Sequence, residues 1–182
     1  MENKLAFRYA ERKDVPLILQ FIKDLAEYEK MLEEVVADEA TLEEWIFDQK
    51  KAEVLFAMEN GKEVGFALFF HNFSTFLGRA GLYLEDLFVQ PEHRGKGYGK
   101  QILQKLAAIA VERKCGRLEW WCLDWNQPSI DFYLSLDAEP MSRRNSLTSR
   151  FVSRRAGSPR EKSCCSHRPS RWSSLHCLPV CQ

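Results

Sequence analysis

No stretch of this 182-residue chain approaches the roughly 20 consecutive apolar residues that a membrane-crossing helix needs. Its opening, Met1-Glu2-Asn3-Lys4, has no apolar run of the kind a secretory signal carries. Both absences argue against a membrane partner and make a cytoplasmic protein the expectation. Cysteine is sparse through Met141, where only Cys115 and Cys122 occur, so a disulfide framework is excluded there and free thiols are expected. The second cysteine group, Cys164, Cys165, Cys177 and Cys181, matches no standard zinc-ligand spacing, and no metal is expected.

Net charge is also missing, with 26 basic against 26 acidic side chains, but the balance is uneven along the chain. Residues 142–182 hold nine of the basic residues and only one acid, Glu161, which leaves 17 basic against 25 acidic residues in 1–141. An acidic body suits a cationic small molecule better than nucleic acid. The basic tail could retain a polyanion, but nothing in the body supplies a surface for reading one, so no nucleic-acid partner is expected.

What is present is a core-forming composition, 45% apolar and 12% aromatic, arranged in alternating periods. Lys4–Ala10 reads as a strand. Asp14 before Val15-Pro16 reads as a helix start, with Leu17, Ile18, Phe21, Ile22 and Leu25 at helical spacing. Thr41-Leu42-Glu43-Glu44 has the form of a capping box opening a short helix. Val54–Glu59 and Glu63–Phe73 flank Asn60-Gly61, a strong hairpin signal. Leu82–Val89 is a further strand, followed by an amphipathic helix through Ile102, Leu103, Leu106 and Ile109, a strand over Arg117–Trp125 and a short helix after Asn126-Gln127-Pro128-Ser129. The order is an α/β layout in which strand, glycine loop, helix and strand imply a parallel pair with a ligand crevice at its carboxyl ends.

That loop is Arg94-Gly95-Lys96-Gly97-Tyr98-Gly99-Lys100. Glycines at alternate positions let backbone amides turn toward one point, and the following helix offers its positive N-terminus there, so the segment suits phosphate. A Walker A loop needs Ser or Thr after Gly-Lys, but Gly97 and Gln101 stand in those places. A G-x-G-x-x-G dinucleotide loop would need glycine at Lys100 or at Ile102. Both nucleotide spacings fail.

Arg-Gly-x-Gly-x-Gly after an apolar strand instead resembles the R/Q-x-x-G-x-G/A motif of GNAT-type N-acetyltransferases. Residues 23–29 (KDLAEYE), 82–89 (LYLEDLFV) and 125–133 (WNQPSIDFY) are similar to the diamine and spermidine/spermine branch, including thialysine acetyltransferase-like members. The resemblance covers residues 4–141. It implies the GNAT fold, a central mixed sheet with flanking helices, and acetyl-CoA as co-substrate. It also implies direct transfer to a primary amine of a small diamine- or polyamine-like acceptor, with thialysine-like amino acids or protein lysine as alternative acceptors, and a homodimer.

Residue by residue, the resemblance gives Leu87, Phe88 and Val89 to pantetheine pairing and Arg94, Gly95, Lys96, Gly97, Tyr98, Gly99 and Lys100 to the pyrophosphate. Asn126 and Ser129 become cofactor contacts, Tyr133 the acid for the departing thiolate, and Glu85 the base or amine ligand with Asp86 beside it. Tyr28 and Glu29 become acceptor contacts. A phenol suits the acid role because its ordinary pKa of about 10 lies above the roughly 8.5 of a thiol. His71 and His93 are read as surface histidines, and Trp120, Trp121 and Trp125 as packing on the sheet, with an amine channel lined by an aromatic near the crevice as the alternative. Residues 142–182, with ten serines and little periodicity, are read as a disordered or aberrant tail that lacks the family's closing strands. That lack leaves an acetyl-CoA-binding module of impaired activity as the rival reading.

Overall fold

In the computed structural model, which describes residues 4–140 and 148–153, β2 (Glu53–Glu59) and β3 (Lys62–Ser74) form the hairpin that Asn60-Gly61 predicts. Asn60 at φ 52° and Gly61 at φ 80° both occupy the left-handed region that a two-residue type I′ turn requires. β1 (Ala6–Tyr9) lies antiparallel to β2, and β3 antiparallel to β4 (Arg79–Val89). From β4 the chain crosses through α3 (Tyr98–Glu112) to β5 (Leu118–Leu123), which pairs parallel with β4 as expected. The sheet runs β1-β2-β3-β4-β5-β7-β6, with β6 at Glu139–Pro140 and β7 at Thr148–Ser153.

Strand alternation sorts the apolar side chains into two cores, one on each face of the sheet. Leu55, Phe69, Leu82 and Leu84 meet Ile102, Leu106 and Ile109 of α3 on one face. Val54, Phe56, Phe66 and Phe88 meet Ile18 and Phe21 of α1 (Val15–Tyr28) on the other, where the Phe21 ring stacks on Phe66 at 5.2 Å. Each such buried side chain contributes roughly 1.5–3 kcal/mol. Asp14 stands at the N-cap position of α1, but its carboxylate turns back to Arg8, at 2.6 and 3.1 Å, and does not cap the helix.

Two expectations are corrected. The capping box at Thr41 is displaced: Asp38 is the cap and accepts from the Thr41 amide at 2.8 Å, so α2 runs Glu39–Glu43 and continues as a π-helical turn over Glu44–Asp48. Thr41 is the third residue of the helix, and its amide is the donor that the Asp38 carboxylate caps. The expected lack of closing strands does not hold either. β7 pairs antiparallel along all of β5, from Leu118↔Ser153 to Leu123↔Thr148, and β6 pairs with β7. The open edge of β5 presents unpaired backbone groups, so ladder pairing defines this strand where side-chain periodicity does not. The rest of residues 142–182, with its cysteines, lies outside the described residues. Among the described residues no helix is long and apolar enough to cross a membrane.

Candidate active site

The parallel pairing of β4 and β5 extends only from Leu82↔Leu118 to Leu84↔Trp120, after which the strands part. The cause is local: Phe69 opposes Leu84 while Leu68 opposes Asp86, so Glu85 is an extra residue in β4. Such a bulge bends its strand and inverts the alternation beyond it. Leu82 and Leu84 face α3 before the bulge, and Leu87 and Val89 do so after it. Phe88 therefore lies on the α1 face, and alternation puts Asp86 there with it.

A cleft of about 630 Å³ opens where the strands diverge. Of the residues read from the sequence, Tyr28, Glu29, Glu85, Asp86, Leu87, Phe88, Val89, Arg94, Gly95, Gly97, Tyr98, Gly99, Lys100, Asn126, Ser129 and Tyr133 all line it. Lys96 does not. Its ammonium sits 3.4 Å from Glu59, which corrects its placement among the cleft contacts. His93 is corrected in the other direction, since it lines the cleft and is paired with Glu59 at 2.7 Å. Trp120 and Trp121 line it too, the alternative read for an aromatic near the crevice, and Trp121 is exposed and not packed away on the sheet; Cys122 also lines it and carried no sequence signal beyond strand position.

The loop reaches α3 through two left-handed glycines, Gly95 at φ 75° and Gly97 at φ 78°. A Cβ would meet nothing within 4 Å at either, so backbone conformation and not space selects glycine there. Gly99 is different: it lies within α3, and a Cβ would stand 3.3 Å from the Phe132 ring. The first α-helical bond donates from Gln101 N to Gly97 O at 3.2 Å, so the amides of Tyr98, Gly99 and Lys100 have no acceptor within the helix. Arg94 donates from Nε to the Val89 carbonyl at 2.9 Å, and its guanidinium lies 4.5 Å from the Tyr28 ring centre and 5.1 Å from that of Phe88. Tyr28 in turn donates its hydroxyl to Asn126 Oδ1 at 3.4 Å, and the same oxygen accepts from the Ser129 amide, capping α4 (Gln127–Leu134).

The opposite wall is acidic, with Glu29, Glu85 and Asp86. Asp86 is pushed up to about 7 by burial, with the charges of Glu85 and Glu29 adding to the effect. Burial raises Glu29 as well. Tyr133, buried against the Trp120 ring at 5.1 Å, is held well above the ordinary phenol range by burial and then by neighbouring Cys122, Glu29 and Tyr28. Burial lifts the Cys122 thiol to about 11. Glu85 itself is exposed at the cleft edge. Asp86, Glu29, Tyr133 and Cys122 all shift toward their protonated forms, the response of groups removed from solvent with no cation among the described residues beside them to favour the charged form. Such a wall can attract a cation, hold a phenolic proton at neutral pH and accept a proton near pH 7.

Residues 19–137 match the acetyltransferase (GNAT) family. Thialysine N-epsilon-acetyltransferase of Bos taurus is 36% identical over 144 residues, covering 74% of this chain and 84% of that protein. Spermidine/spermine N(1)-acetyltransferase-like protein 1 of Homo sapiens is 34% identical over 143 residues, covering 74% of this chain and 20% of that protein. Among solved structures, an integron cassette protein from the mobile metagenome of V. cholerae aligns with a TM-score of 0.65 at 26% identity, covering 80% of this chain and 91% of that one.

Proposed function

The chain belongs to the acetyltransferase (GNAT) family, and from that premise we propose that it transfers the acetyl group of acetyl-CoA directly to a primary amine of a small cationic acceptor. The observation that carries this reading is convergence. The first turn of α3, a buried phenol and three carboxylates share one cleft.

The residues suit the donor. The first-turn amides of α3, which precede the first helical bond from Gln101 N to Gly97 O, match a pyrophosphate with the helix dipole behind them. Beyond Leu84 the edge of β4 has no β5 partner, which leaves Leu87–Val89 able to pair with an amide-bearing chain lying in the gap. Acetyl-CoA supplies the acetyl group as an activated thioester. Everything else falls to the side chains. Glu29, Glu85 and Asp86 draw in the ammonium, and Asp86, titrating near 7, accepts a proton from it directly or through water. The sequence reading gave base duty to Glu85 with Asp86 beside it; burial moves the weight to Asp86 and leaves Glu85 to attract the acceptor from the rim. Tyr133 keeps its proton at neutral pH and offers the O–H to the sulfur as negative charge develops there. The bonds and protons balance: N–C forms and C–S breaks, one of the two protons lost by the ammonium leaves by way of Asp86, and the other restores Tyr133 after it has protonated the thiolate.

Diamines and polyamines fit the acidic wall best. A thialysine-like amino acid is the second reading, favoured by the bovine relative. An acceptor panel of diamine, polyamine, thialysine and lysine peptide separates them; turnover confined to the amino acid would replace the first reading with the second. The motive for an inactive binding module weakens once β7 closes the sheet. We take the working unit to be a cytoplasmic homodimer, to be checked by light scattering of the purified chain.

A further inference from the structure

Glu59, the last residue of β2, lies on a different strand from the loop, yet its carboxylate meets that loop at three points. Oε1 accepts from the Tyr98 hydroxyl, and Oε2 lies 2.7 Å from His93 Nδ1 and 3.4 Å from Lys96 Nζ. The side chain is only 14% exposed. The contacts bracket the two left-handed glycines: His93 precedes Gly95, Lys96 stands between the glycines, and Tyr98 follows Gly97. Glycines in that conformation are where a loop is otherwise freest, so a single carboxylate fixes both ends and the middle of the segment with most to lose on ordering.

The electrostatics run the other way. A negative charge beside an anion site repels the anion, by an amount that grows as the surroundings dry out. It also neutralises Lys96, the loop cation that does not face the cleft. Glu59 therefore does nothing for phosphate as a charge. Its contacts bear on geometry. Tyr98 is the first residue of α3 and is itself buried, so holding its hydroxyl orients the first turn of that helix.

We propose that Glu59 is a positioning residue for the donor loop, holding His93, Lys96 and Tyr98 so that the first-turn amides of α3 are set for the pyrophosphate before it arrives. The proposal rests on the donor reading above. Preorganisation of this kind acts on donor affinity and not on the chemical step.

The test is calorimetric titration of the purified full chain with CoA, alongside acetyl-transfer kinetics and melting curves for wild type, Glu59→Ala, Glu59→Gln and Tyr98→Phe. Glu59→Ala is expected to weaken CoA binding about tenfold while acceptor KM and kcat stay within about twofold. Glu59→Gln keeps an acceptor for Tyr98 and is expected to recover to within about threefold of wild type. Tyr98→Phe, which deletes one oxygen, is expected to weaken CoA in the same direction even if Glu59→Ala fails to fold. Wild-type affinity, or tighter binding, in Glu59→Ala or Tyr98→Phe overturns the proposal, as does a loss shared equally by kcat, acceptor KM and melting temperature. Absence of CoA binding by the wild type overturns the donor reading itself, and this proposal with it.

Discussion

Two side chains are assigned the proton movements, and each has a test of its own. Tyr133→Phe removes only the hydroxyl, and kcat is expected to fall about 100-fold with melting temperature and CoA affinity held near wild type. A KM effect without a kcat effect would reduce Tyr133 to a packing residue. Asp86 makes a pH prediction. Its carboxyl titrates near 7 in the fold, against roughly 3.9 in an unfolded chain, so the folded state holds the proton longer. The contribution to stability is complete below about pH 4 and is lost as pH rises through 7. Asp86→Asn should remove that slope and be more stable than wild type above pH 7, by on the order of 1–2 kcal/mol, while losing the rise in rate through the same range. A variant keeping the wild-type rate profile would reassign the base.

At this scale the sequence conveyed residue types and the structure supplied their surroundings. A charge in an apolar strand run pointed to Glu85 and Asp86, but which of the two is half-buried and which exposed depends on the bulge, and a bulge is a property of the pairing with β3. His93 read as a surface residue because its partner, Glu59, is distant in the chain.

At the scale of elements, the strongest local signals produced the most accurate readings. Asn60-Gly61 gave its hairpin, and the apolar stripes gave α1 and α3. Element ends were less legible, since caps depend on single side chains: Asp38 replaced Thr41, and β5 stops at Leu123, short of Trp125. The three loop glycines looked alike in sequence but do different work. Gly97→Ala meets no atom, so its penalty, roughly 1–2 kcal/mol, is conformational, and CoA affinity should fall with it. Gly99→Ala needs the Phe132 ring to give by a few tenths of an ångström and should cost less than Gly97→Ala in CoA titration. The reverse order would contradict this division.

For the whole molecule, the tail was the largest departure from the reading of the sequence. Backbone pairing to β5 leaves little periodicity to detect, and Asp137, held at φ 57° just beyond α4, occupies a left-handed position that glycine fills more easily. Ending the chain at Pro140 removes β7 and reopens the edge of β5. Melting temperature and acetyl transfer should both drop; unchanged values would mean that the closing strand is dispensable.

The central claim is that one cleft joins a CoA site to an amine site. It is tested most directly by incubating the purified full chain with acetyl-CoA and the amine panel while following free thiol and acetylated amine together. Saturable, one-to-one formation of thiol and acetyl-amine with at least one diamine, polyamine or thialysine is the predicted result. Thiol release independent of every amine, or no turnover at all, would contradict it.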